Sequence, residues 1–320
     1  MSNRGTSVDL TVAQVMAHCG GNPAAAADHL ARAIAAAPED PEPYALLAEL
    51  RSELVDVVRG GGSLPAVLAQ SYVNFLDGDM DAAVLAIGSV TGARPDIAWA
   101  GAPWFGDERF LGAVSPDALA EAATRTLYHD PDLDSDSMRE RFQPWFHAIE
   151  VVTARRPVPA ALARMAILLR ASGLTDESFA LCDKADAVER IMLTEVVRAG
   201  TWRKLGDPEQ TAAAFERAVA LEPTSWSLHL DLADLRAEQG DFAGAVAHVD
   251  RGLRHEPAEP TLRVAAAAYR TRLTCSAADL VELIELAPLL PDDPYRSTLI
   301  DYACANPDLP ADLVAKARRL

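Results

Sequence analysis

Residues 203–223 read RKLGDPEQTAAAFERAVALEP, and residues 237–257 read AEQGDFAGAVAHVDRGLRHEP. The two stretches align turn on turn and proline on proline. Pro223, Pro257 and Pro291 follow one another at intervals of 34 residues. In the first copy the turn Gly206-Asp207 precedes Phe215 and Ala218; in the second, Gly240-Asp241 precedes Ala245, Val249 and Gly252. Glycine can take a positive φ and so end one helix. The aspartate after it accepts backbone N–H bonds and so begins the next. The proline stops the second helix and redirects the chain. A single helix pair cannot bury its own apolar face, so the spacing predicts pairs stacked on one another.

Further copies lie on both sides. Residues 272–291, RLTCSAADLVELIELAPLLP, keep the proline but lack the glycine turn. Residues 19–38, CGGNPAAAADHLARAIAAAP, carry Gly21-Asn22, Ala26, Leu30, Ala33 and Pro38. Residues 76–95, LDGDMDAAVLAIGSVTGARP, carry Gly78-Asp79, Ala83, Ile87, Val90 and Pro95. A weaker copy, RASGLTDESFALCDKAD at 170–186, holds Gly173, Ser178, Cys182 and Ala185.

This pattern resembles the tetratricopeptide repeat, whose 34-residue signature runs from Trp through Leu-Gly and Tyr to Ala, Phe and Pro. Trp202 fills the aromatic slot of one copy, Leu232-Ala233 the Leu-Gly slot of the next, and Tyr44 and Leu47 opening slots near the start. The resemblance covers about 220 residues by the span of the copies. It implies an all-α, right-handed α-solenoid, a superhelix of antiparallel helix pairs with a concave groove. It also implies a non-enzymatic scaffold that takes a peptide or partner protein in that groove.

Between the copies the pattern lapses. Residues 42–58, EPYALLAELRSELVDVV, have the apolar period of one amphipathic helix, broken by the glycines at 60–62. Residues 96–114 hold Trp99, Trp104, Phe105 and Phe110 in a non-repeating insert. Helices are expected at about 116–128 and 137–155, Ser115-Pro116 forming a helix start. The expected organisation is an N-terminal repeat block over 1–97, an irregular insert over 98–158, a regular array over 159–293 and closing helices over 294–320.

Composition narrows the partner. The 320 residues carry 29 basic and 47 acidic side chains, a net charge of −18. Such a chain is ill suited to nucleic acid phosphates or anionic membranes, and neither partner is expected. Only Lys184, Lys204 and Lys316 are lysines, which with the abundant alanine fits a GC-rich coding bias. Asp9, Gln14 and His18 interrupt the first apolar run, and no 18-residue apolar stretch occurs, so a cytoplasmic protein is expected. Cys19, Cys182, Cys275 and Cys304 show no metal-like spacing and read as reduced thiols.

Chemistry-bearing motifs are scarce. The seven histidines form no H-E-x-x-H, and there is no phosphate loop or nucleophile elbow. No catalytic residue, metal or cofactor is assigned. The aspartates of the loop at 129–136 do not fit a calcium loop, because the sixth and twelfth places from Asp130 hold Ser135 and Arg141.

Two sets of candidate binding residues remain. If the first helix of each pair lines the groove, Arg170, Arg203, Lys204, Asp234, Glu238 and Arg272 lie along it, and its basic groups would grip a carboxylate or an acidic peptide. The slots that chaperone-binding members fill with a two-carboxylate clamp are here Leu193, Val196 and Gly200, then Ser227, Leu230 and Asp234, which argues against that ligand. The second set is the insert. Trp99, Trp104, Phe105 and Phe110 either plug the break between blocks or form a lid over a small molecule or signalling peptide, making the chain a regulatory sensor. A helical accessory enzyme sited in the irregular centre is the least supported alternative.

Overall fold

A computed structural model describes residues 9–13, 22–128 and 133–320. His18, Cys19 and residues 129–132 of the aspartate loop lie outside the described residues. Among the described residues every regular element is helical. Contacts divide the chain into two compact units, Met1–Val197 and Arg198–Leu320, and the division falls within the stretch 159–293.

In the first unit the helices are α1 Pro23–Ala36, α2 Pro41–Glu49, α3 Arg51–Gly60, α4 Leu64–Asp77, α5 Met80–Ala93, α6 Glu108–Ala113, α7 Pro116–Arg125, α8 Asp136–Arg155, α9 Pro159–Ala171 and α10 Thr175–Asp186. Most begin as the turn chemistry requires. Asn22, Asp79 and Ser115 each accept a backbone N–H three residues on, at 3.1 Å. The pairs α4–α5 and α9–α10 pack closely, and α7 packs on both α5 and α9. Close approach needs small residues: a Cβ added at Gly88 would stand 2.6 Å from the Ala122 carbonyl oxygen of α7.

The expected single helix over 42–58 is two helices. Its backbone leaves helical geometry at Leu50 (φ −88°, ψ 8°), although Leu50 N–H still bonds Leu46 at 3.0 Å. The kink lets both halves bury their own leucines, Leu46 and Leu47 before it and Leu54 after it. The helix expected to reach 128 ends at Arg125, where Thr126 closes a turn by giving its hydroxyl proton to the Ala123 carbonyl at 2.7 Å.

A second group of helices follows: α11 Met192–Lys204, whose last turns enter the second unit, then α12 Pro208–Leu221, α13 Trp226–Glu238, α14 Phe242–His255, α15 Pro260–Thr274, α16 Ala277–Leu286, α17 Pro294–Cys304 and α18 Ala311–Ala317. Gly206 and Gly240 take φ of +73° and +79°, and Asp207 and Asp241 cap α12 and α14 by accepting from Gln210 N (2.9 Å) and Gly244 N (2.8 Å). Consecutive helices pack as pairs, α13 with α14 and α15 with α16. The first helix of each pair also meets the first helix of the next, α13 with α15 and α15 with α17. That second set of contacts makes a row of first helices.

The copy without a glycine turn shows how the geometry is kept. Cys275 takes its place, the one non-glycine residue with positive φ (+57°) among the described residues, and its N–H bonds Thr271 at 3.0 Å. A side chain in this region costs roughly 1–2 kcal/mol. Cys275→Gly is therefore expected to raise the denaturation midpoint by the equivalent of about 1 kcal/mol, after the added freedom of an unfolded glycine is subtracted. An unchanged or lowered midpoint would show that the thiol's contact with the Asn306 amide outweighs the strain.

Candidate partner-binding face

The row of first helices in the second unit gathers a polar and aromatic patch. Asp231, Asp234 and Glu238 sit three and four residues apart on α13, which places them along one side of the helix. Tyr269 from α15 gives its hydroxyl proton to Asp234 Oδ1 at 2.5 Å, and Tyr295 from α17 donates to the same oxygen at 3.1 Å. One carboxylate thus ties three successive first helices together.

Aromatic rings flank this centre. Phe242, at the start of α14, lies 5.7 Å from the ring of Tyr302 and 6.3 Å from that of Tyr269. The Arg272 guanidinium sits over the Phe242 ring at 5.4 Å, a cation–π contact. At the edge Arg203 pairs with Glu238 at 3.6 Å, and both are exposed.

Burial governs the charge states. The Asp234 carboxyl is pushed up to about 6, first by desolvation and then by Asp231 and Glu238, against the two tyrosine hydrogen bonds. Asp231 is also raised by desolvation, and Arg203 opposes the shift. Desolvation and the Asp234 charge hold the Tyr269 and Tyr295 hydroxyls well above their ordinary range, so both remain donors. Asp231, Asp234, Phe242, Arg272, Tyr295 and Tyr302 stay partly exposed, and Tyr269 is buried beneath them.

The expected groove residues divide between the units. Arg203, Asp234, Glu238 and Arg272 lie in or beside this patch, and Lys204 follows Arg203 on an exposed last turn of α11. Arg170 belongs to α9 in the first unit. It is partly buried, reaches the Val197 carbonyl at 3.5 Å, and its guanidinium is shifted down by desolvation. Asp231, Phe242, Tyr269, Tyr295 and Tyr302 were not singled out from sequence. A usable signal was present for two of them: Tyr269 follows Asp234 by 35 residues, and Tyr302 follows Tyr269 by 33, close to one repeat each.

The insert aromatics are interior. Trp99 and Trp104 are 3% exposed, and Phe105 and Phe110 are fully covered. They continue a run of rings: Tyr44–Tyr72 (5.0 Å), Tyr72–Phe75 (5.9 Å), Phe75–Trp104 (5.4 Å), Trp104–Phe110 (5.4 Å), Phe110–Phe105 (5.0 Å) and Phe105–Trp145 (5.0 Å). Rings so enclosed offer no surface to a ligand.

Residues 203–268 match the family model of the tetratricopeptide repeat. This stretch of the chain is tetratricopeptide repeat. The matched stretch runs from the end of α11 through most of α15, and so includes Asp231, Asp234, Glu238 and Phe242. Tetratricopeptide repeats serve in general as protein–protein interaction scaffolds and are generally non-enzymatic. No curated protein matches the chain.

Solved structures similar to the chain include a thermophilic TPR protein of Thermus thermophilus, at 18% identity and TM-score 0.40, covering 65% of this chain and 98% of that one. A tetratricopeptide repeat protein from Parabacteroides merdae is 12% identical at TM-score 0.41, covering 98% of this chain and 99% of its own. At such scores the repeat assignment rests on the matched stretch and on the turn and cap geometry. No helix among the described residues is long and apolar enough to cross a membrane.

Proposed function

We propose that this tetratricopeptide repeat protein is a non-enzymatic scaffold that binds a peptide segment of a partner protein along the first helices of its second unit. The observation that carries the reading is the double hydrogen bond onto Asp234. It joins α13, α15 and α17 into one connected surface on which charged and aromatic groups are partly exposed.

The chemistry suits a mixed peptide. Asp231 and Glu238 offer carboxylates to a basic side chain. Phe242 and Tyr302 offer ring faces to an apolar one. Arg272, already desolvated on one side by Phe242, offers donors to a carboxylate or a backbone carbonyl. The net charge of −18 favours a partner that is basic overall.

The double variant Asp231→Ala/Glu238→Ala tests this in a crosslinked pull-down from the native lysate. Recovery of the partner is expected to fall at least tenfold against wild type, while Glu140→Ala, exposed on α8 of the first unit, leaves it unchanged. Equal recovery by both variants, or no partner in any arm, would count against the reading.

A further inference from the structure

The second unit also holds a histidine cluster that the binding face does not use. His229 on α13 is 4% exposed, and its Nε2 lies 3.1 Å from the Pro223 carbonyl oxygen. A carbonyl only accepts, so Nε2 carries the proton and Nδ1 is bare. That Nδ1 is buried without a partner, and so is Nδ1 of His248 on α14. The His229 ring stands 6.3 Å from that of His248 and lies nearly parallel to that of His255 at 6.0 Å.

The charges around the cluster are mostly positive. Arg251, Arg254 and His255 of α14 act on His229; Arg251 and His229 act on His248, together with Arg236 of α13. The carboxylate of Asp241 acts on His248 in the opposite sense, and its Oδ1 already accepts from Gly244 N as a helix cap. From α12, Glu216 is paired with Arg236 at 3.4 Å. From α15, Arg270 is paired with Asp250 at 3.4 Å and faces Glu282 of α16 at 3.9 Å.

We propose that His229 and His248 form an acid-sensitive lock between α13 and α14, closed while both imidazoles are neutral and opened when they take up protons. A proton on His229 Nδ1 creates a buried donor with no acceptor, and a charge on either ring stands near two guanidiniums, Arg251 with Arg254 for His229 and Arg251 with Arg236 for His248. Burial is the leading cause that lowers both imidazoles, His248 to about 4. In the unfolded chain an imidazole protonates near pH 6.5. Between about pH 6.5 and 4 the unfolded state therefore binds more protons, and stability is lost as pH falls through that window. Helix α13 also carries Asp231, Asp234 and Glu238, so if the binding face is as proposed, acid would release its partner. The lock itself does not depend on that reading.

Two measurements on the full chain test it. In wild type labelled with 15N-histidine, an NMR titration from pH 8 to 4 is expected to show His229 protonating below a free imidazole and His248 protonating at about 4. Either one titrating at or above pH 6.5 would overturn the lock. In urea denaturation, the unfolding constant of wild type is expected to rise at least tenfold more between pH 7.5 and 5.0 than that of His229→Gln/His248→Gln. Glutamine keeps a donor for the Pro223 carbonyl but cannot take a proton. An equal rise in both proteins would also overturn it. Should the double variant not fold, His248→Gln alone replaces it in the same comparison, and the wild-type titration decides independently.

Discussion

Phe105→Ala is expected to destabilise the first unit by about 3–5 kcal/mol, the range for emptying a buried aromatic site. The ring is fully covered and lies 5.0 Å from both Phe110 and Trp145 and 6.0 Å from Trp104. Phe110 on α6, Trp145 on α8 and the adjacent Trp104 cannot collapse into the void without losing their own ring contacts. Whole domains are stable by only about 5–15 kcal/mol, so this one truncation removes much of the margin. Tryptophan fluorescence in urea would report it, because Trp99, Trp104 and Trp145 lie in the first unit and Trp202 and Trp226 in the second. A change under about 1 kcal/mol would mean the insert is not the interior support described above.

Asp234→Asn is expected to stabilise the protein at pH 7.5, by roughly 1–3 kcal/mol. Desolvation lifts the folded carboxyl to about 6, against an ordinary value of 3.8. A raised carboxyl binds its proton more tightly in the folded chain, so above both values its ionised form weighs against folding. The wild type regains that stability as pH falls from about 6 through 3.8, and below this the two proteins should be equally stable. Asparagine keeps one oxygen to accept from Tyr269 and Tyr295, removes the charge, and puts an NH2 in place of the oxygen that neither tyrosine uses. Denaturation at pH 7.5 and pH 3.5 measures both points. A variant less stable than wild type at pH 7.5 would show that the charged form of the tyrosine hydrogen bonds outweighs the desolvation. This dependence runs opposite to that of the histidine cluster, so the two are separable by variant and not by pH alone.

A stabilising change at Asp234 is what a binding site leads one to expect. In the proposed reading that carboxylate weakens its own fold and serves recognition. The same residue shows what sequence could and could not reveal. The 34-residue spacing made the turns at Gly206 and Gly240 and the caps Asp207 and Asp241 readable, because each rests on local backbone chemistry. Asp234, Glu238, Arg203 and Arg272 could be placed on first helices, because the repeat register assigns each to its helix. Tyr269 and Tyr295 were not readable as partners of Asp234, since a tyrosine on an amphipathic helix looks like ordinary core, and only the meeting of three helices shows two hydroxyls on one oxygen. The kink at Leu50 was illegible for a related reason. Residues 42–58 have an unbroken helical period, and the break arises from how two leucine clusters pack against different neighbours.

The ring ladder of the first unit bears on how the chain acquires its structure. In the second unit most packed helices are neighbours or next neighbours in sequence, yet Tyr295 reaches Asp234 across 61 residues. The ladder from Tyr44 to Trp145 is built in steps, the longest being the 40 residues between Phe105 and Trp145. Closure entropy must be met before such distant contacts reward it, and rates fall as mean contact separation grows. During synthesis the ladder is complete only after Trp145 has emerged, and the junction on Asp234 only after Tyr295 has, although each helix pair of the second unit can close as soon as it is made.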